Sequence, residues 1–100
     1  MPYINESDRQ RLDPAIEEMV RTLNNQLLFP DDPKSFQNLL GDINYSFSRI
    51  LGQLMGKPSY TKIAMITGVL ENIKQEFYRR IASPYEDIKI KENGDLREYK

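Results

Sequence analysis

Apolar residues recur along most of this chain at intervals of three and four, the period of one face of an α-helix. The first such stripe is Ile16, Met19, Val20, Leu23 and Leu27. Asp13 before Pro14 reads as its N-cap and first helical residue, where proline's missing N–H costs nothing, and the pattern runs out near Phe29-Pro30. Asp31-Asp32-Pro33 repeats the cap-then-proline signal, and Phe36, Leu39, Leu40, Ile43, Phe47, Ile50, Leu51 and Leu54 follow as a second stripe. Gly56-Lys57-Pro58 stops it. Ser59 or Thr61 can cap a third helix striped by Tyr60, Ile63, Ile66, Leu70, Ile73, Phe77 and Ile81. Pro84 disfavours helical geometry in Ser83 and is expected to end that helix.

The pattern predicts an all-α, antiparallel three-helix bundle in one domain spanning 1–100, with an N-terminal arm over 1–12 and helices over 13–29, 33–55 and 59–82. Residues 84–100 change character, with charges at nine of the last fifteen positions. There Ile88 and Ile90 alternate with lysines, and Asn93-Gly94 offers a hairpin turn. Such a hairpin would set Glu92 against Asp95, so an extended tail is favoured, packed along the bundle or pairing with another chain. Gly41, Gly52 and Gly68 inside the expected helices point to close helix–helix approach.

Composition narrows the chemistry. One hundred residues leave room for one small core. Cysteine and histidine are both absent, which excludes disulfides, thiolate catalysis, Cys/His zinc sites and Ser-His triads. Fourteen basic residues balance fifteen acidic ones, so duplex nucleic acid is not an expected partner. No apolar run is long enough to span a membrane, and the start lacks the basic and apolar regions of an export signal. A cytoplasmic setting is the expectation.

The second helix is unusual in its outer face. Between Ser35 and Gly56 its only charges are Asp42 and Arg49; amides, hydroxyls and Tyr45 fill the other polar positions. Neutral hydrogen-bonding groups desolvate at lower cost than ions, so this face suits contact with another copy and predicts a homo-oligomer. Asp42 and Arg49 are two turns apart and suit pairing across a two-fold axis.

Two site chemistries deserve weighing. Glu17, Glu71 and Glu76 are candidate ligands for a metal-dependent nucleotide hydrolase, but adjacent Glu17-Glu18 and the five-residue gap between Glu71 and Glu76 split helix faces and build no cage for a hard cation. Solvated faces with pairs such as Glu17–Arg21 and Glu76–Arg80 account for them better. Arg79 and Arg80 beside Tyr78, with Arg49 and Tyr45 from the second helix, suit recognition of phosphate and base. A dipole-complementing role with Glu76, Glu86 or Asp87 as partners is the plainer account of Arg79 and Arg80. No Gly-rich phosphate loop is present, and no cofactor or metal is implied.

Met1-Pro2-Tyr3-Ile4, Arg11-Leu12-Asp13-Pro14, the run Gly41-Asp42-Ile43-Asn44-Tyr45-Ser46-Phe47-Ser48-Arg49, and Glu76-Phe77-Tyr78-Arg79-Arg80 with Pro84-Tyr85-Glu86-Asp87 and Glu92-Asn93-Gly94-Asp95 together resemble a family of small uncharacterised proteins of bacteria and their phages. The segment from Asn24 to Lys34 departs from that pattern. The resemblance implies a phage or prophage setting and carries no activity. The residues expected around a ligand site or interface are Asn44, Tyr45, Arg49, Tyr78, Arg79, Arg80 and Tyr85. The expected function is binding without catalysis, of a nucleotide signal or a host defence factor, by analogy with other small helical phage proteins. The alternatives are the hydrolase, and a structural subunit whose tail adds a strand to a partner through Ile88 and Ile90.

Overall fold

A computed structural model describes residues 4–24 and 33–99. They are helical along most of their length, and no strand occurs among them. Four α-helices follow in order: α1 (Glu6–Asn24), α2 (Pro33–Met55), α3 (Tyr60–Phe77) and α4 (Ser83–Asn93). A π-helical turn, Tyr78–Ala82, joins α3 to α4 without a break, and a short 3-10 turn, Arg97–Tyr99, closes the described chain. The chain divides into two compact units, Met1–Lys57 and Pro58–Lys100.

In the first unit α1 starts seven residues before the expected Asp13-Pro14 boundary. Asn5 is the cap that the pattern concealed. Its Oδ1 accepts from the Asp8 backbone N–H and the Ser7 hydroxyl, both at 2.9 Å, and its carbonyl accepts from Arg9 N–H at 3.1 Å. Pro14 therefore lies inside a helix, where it supplies no N–H to the Gln10 carbonyl one turn back; the exposed surface there leaves that carbonyl open to water. Arg21 pairs with Glu18 at 2.6 Å in place of the expected Glu17. The expected end at Phe29-Pro30 and the Asp31-Asp32 cap lie outside the described residues, while Pro33 begins α2 as expected.

The helices of this unit meet over a short stretch. Ala15, Ile16, Met19, Val20 and Leu23 of α1 and Phe47 and Ile50 of α2 line an apolar groove of about 370 Å³. Met19, Thr22 and Leu23 also share a neighbouring cleft with Asp42 and Ser46. Later α1 residues thus meet earlier α2 residues, the pairing of antiparallel helices. Gly56, at φ 63°, follows the end of α2. A Cβ placed on Gly41, Gly52 or Gly68 would meet no atom within 4 Å, so the expected close approach at these glycines is not what the chain itself uses them for.

In the second unit Ser59 caps α3 as expected, its hydroxyl accepting from Lys62 N–H at 3.2 Å. The expected stop at Ser83-Pro84 is corrected: the helix passes through it. Pro84 has no N–H, and its ring would strike the carbonyl four residues back in a regular α-helix. The turn before it is π-helical instead, with the Ser83 N–H bonded to the Tyr78 carbonyl five residues back. That wider turn makes room for the ring. The extended or hairpin tail is corrected too. Residues 83–93 are helical, and Asn93-Gly94 is a helix end, with Gly94 at φ 87° and its N–H on the Ile90 carbonyl at 2.7 Å. Strand addition through Ile88 and Ile90 falls with it, since both lie within α4.

Candidate functional site

The residues expected around a site fall into two groups, one on each unit. On α2, the Arg49 guanidinium stands 5.9 Å from the centre of the Tyr45 ring, one turn away, a cation–π contact on the surface. Ser48 Oγ donates to Asn44 Oδ1 at 3.2 Å. Both pairs follow from i, i+4 spacing on a helix whose outer face carries few charges. Asp42, the other charge of this helix, is half-buried in the cleft beside Met19, Thr22 and Leu23.

On the second unit the π-turn holds Tyr78, Arg79 and Arg80. Glu76 organises the arginines. Arg79 Nε and Nη2 donate to its Oε1 at 3.0 and 2.9 Å, Nη2 also reaches Oε2 at 3.1 Å, and Arg80 Nε donates to Oε2 at 3.3 Å. The hydrogen bond from Arg79, with both guanidinium charges nearby, holds the Glu76 carboxyl below its ordinary value, against a smaller opposing push from desolvation. One carboxylate faces two guanidinium groups, so the cluster keeps an excess positive charge. Both arginine side chains are more than half exposed.

Tyr78 donates its phenolic hydrogen to Glu86, whose two oxygens lie at 3.0 and 3.1 Å. That bond, and then the carboxylate's charge, raise the Tyr78 hydroxyl above its ordinary value. Tyr85 is stacked by Lys89, whose Nζ is 5.5 Å from the ring centre and 3.1 Å from Glu92. Two working partners were missed at the level of sequence, Glu86 for Tyr78 and Lys89 for Tyr85. The second was legible as an i, i+4 pair once α4 is helical. Glu86 carried no signal, because an eight-residue gap matches no regular helical spacing.

The remaining carboxylates are occupied by near neighbours. Glu71 accepts from Gln75 Nε2 at 3.2 Å and stands 3.8 Å from Lys74 Nζ. Among the described residues no group of three or more acidic, histidine or cysteine side chains is placed to hold a metal ion. No helix among them is long and apolar enough to cross a membrane.

The signature segments at the π-turn and on α2 lie within a family match that spans residues 1–96. The chain belongs to the family described as Domain of unknown function (DUF6899). No curated protein and no solved structure matches it. Membership in the DUF6899 family agrees with the resemblance to uncharacterised proteins and assigns no chemistry.

Proposed function

We propose that this DUF6899 protein binds rather than catalyses, that it works as a homo-oligomer in a phage or prophage setting, and that its ligand is an anion of the nucleotide class. The observation that carries the reading is that no described residue is buried. Side chains such as Phe36, Leu40, Leu54, Ile73 and Phe77 stay exposed although they sit on regular apolar stripes. Ordering a helix costs roughly 1–2 kcal/mol per residue in backbone entropy, and burial of such side chains is the term that offsets it. Helices of this composition call for a cover, and the neutral face of α2 suits a second copy.

The ligand class is supported by two surface sets of the same make-up. Tyr45 with Arg49, and Tyr78 with Arg79 and Arg80, each combine a guanidinium fork with an aromatic ring, a pairing suited to phosphate and base. The excess positive charge around Glu76 favours an anion. Asn44 and Tyr85 complete the proposed binding residues. A host protein factor is the other target class, reached through the same exposed faces.

Incubation with linear and cyclic nucleotides plus magnesium, followed by gel filtration, heating and chromatography of what is released, tests the reading. Recovery of an intact nucleotide, lost in Arg49→Ala and Arg79→Ala, is the expected outcome. A cleaved product would move the work to a hydrolase. Unchanged binding in both variants would overturn the assignment of these residues.

A further inference from the structure

The apolar seam of α3 keeps a strict heptad rhythm: Ile63, Ile66, Leu70, Ile73 and Phe77 are spaced three, four, three and four. Continued unchanged, that rhythm would place Arg80, Pro84 and Asp87 on the seam. The apolar residues that follow are instead Ile81, Tyr85 and Ile88, each one position late. One extra residue has entered the repeat, and it enters between Phe77 and Ile81.

The π-helical turn occupies Tyr78–Ala82. A bond to the fifth residue back, as from Ser83 to Tyr78, takes one more residue into the turn than the α-helical bond to the fourth. The inserted residue is therefore absorbed where the repeat slips. In an unbroken α-helix it would rotate everything downstream by about 100°. With the π-turn, Ile81, Tyr85 and Ile88 fall into the positions that the α3 rhythm reserves for the seam. The Tyr78–Glu86 bond reports the same shift, since Glu86 reaches Tyr78 as a residue seven positions on would in a regular helix.

We propose that α3, the π-turn and α4 form one continuous coiled-coil helix, that the π-turn is the device keeping its seam in register, and that the seam pairs with the same helix of a second copy. The seam residues are exposed from Ile63 to Ile88, except half-buried Ile66. Length selects the occupant. The continuous helix runs from Tyr60 to Asn93, thirty-four residues and about 50 Å. The nineteen residues of α1 and twenty-three of α2 are each too short to cover it end to end. A second copy of the same helix matches it.

The area agrees. A stripe about 10 Å wide and about 50 Å long offers about 500 Å² on each copy, so two reach the roughly 1,000 Å² that a specific interface needs. The α3 part alone gives little more than half of that. Continuation of the seam into α4 is what brings it to size.

The inference rests on the self-association in the proposed function, not on its ligand. Sedimentation equilibrium of the full chain at micromolar concentration, with circular dichroism to follow helicity, tests it. Wild type self-associates, and Ile88→Asp, with Ile88→Ser as a milder second variant, weakens association by about tenfold or more. Deletions in a Pro84→Ala background address the π-turn, because there the shortened segment can become regular α-helix. Deleting Arg79 restores the uninterrupted heptad and leaves association within about threefold of an Arg79→Ala control. Deleting Gly68 breaks the rhythm inside α3 and weakens association by about tenfold or more. A monomeric wild type, no effect of the Ile88 variants, or an Arg79 deletion as damaging as the Gly68 deletion overturns the proposal. Intact nucleotide recovered from a monomer fells this inference alone; association without any nucleotide fells only the ligand reading.

Discussion

The hydroxyl of Tyr78 and the carboxylate of Glu86 are hydrogen-bonded at 3.0 Å across eight residues, with the π-turn and Pro84 between them. In a regular α-helix two residues eight apart diverge by about 80° around the axis. The bond is thus a direct chemical reporter of the π-turn. A carboxylate accepting from the phenol favours the neutral phenol, so Tyr78 ionises above the ordinary tyrosine value of 10.0. Ultraviolet titration is expected to show one tyrosine ionising later than the others, and Glu86→Gln to return it to the rest. Because its folded value is raised, the bond supports the fold fully below pH 10 and is lost as pH climbs through the raised value. A Glu86→Gln chain with an unchanged titration curve would contradict the contact.

Glu76 is the mirror case. Its carboxyl is held below its ordinary 4.5 by Arg79 first, so its support for the helix is present above that value and fades as pH falls through the lowered one. Circular dichroism of Glu76→Gln should show a small loss of thermal stability at neutral pH, because exposed pairs contribute little. The difference from wild type should vanish in acid. A gap that widened as pH fell would mean that Glu76 acts through something other than its charge.

The helix ends carry their own expectations. Ser59→Ala removes the oxygen that accepts from Lys62 N–H and is expected to destabilise the start of α3 by about 1 kcal/mol. Asn5→Ala should do the same for α1. Pro14→Ala should act in the opposite sense, raising helicity, since proline inside a helix costs up to about 3 kcal/mol relative to alanine. Amide hydrogen exchange along α1 would read both changes. A Pro14→Ala chain with weaker protection would show that the proline serves the packing of α1.

The α1–α2 groove separates contact from mere apolarity. Phe47 lines it at 49% exposure, whereas Leu54 on the same helix is 76% exposed. Truncating a half-covered phenylalanine is expected to cost about 1–2 kcal/mol, a fraction of the figure for a fully buried one. Leu54→Ala should therefore cost less than Phe47→Ala in denaturant titration. The reverse order would put Leu54 in an interface and Phe47 outside one.

Much of this protein was legible from spacing alone. The stripes from Ile16, Phe36 and Ile63 onward are helical, Pro33 opens α2, Ser59 caps α3 and Glu76 pairs with Arg80, because each depends on neighbours within about one turn. The all-α class and the segments that mark the family follow from the same local information. Site residues were legible as residue types, and within each unit as pairs.

The breakdowns share a physical cause. Asp13-Pro14 and Ser83-Pro84 carry the local marks of helix ends, yet both lie within continuous helix. At Pro14 the outcome is set by the Asn5 cap, which starts the helix early enough to run through the proline. At Pro84 the π-turn is decisive: it accommodates the ring, turns a charged tail into α4, and brings Glu86 under Tyr78. A one-residue change of helical register has no counterpart in composition or in a fixed period. Sequence by itself determined which residues are helical and apolar; only the three-dimensional path of the backbone decided where the helices run on and which distant side chains meet.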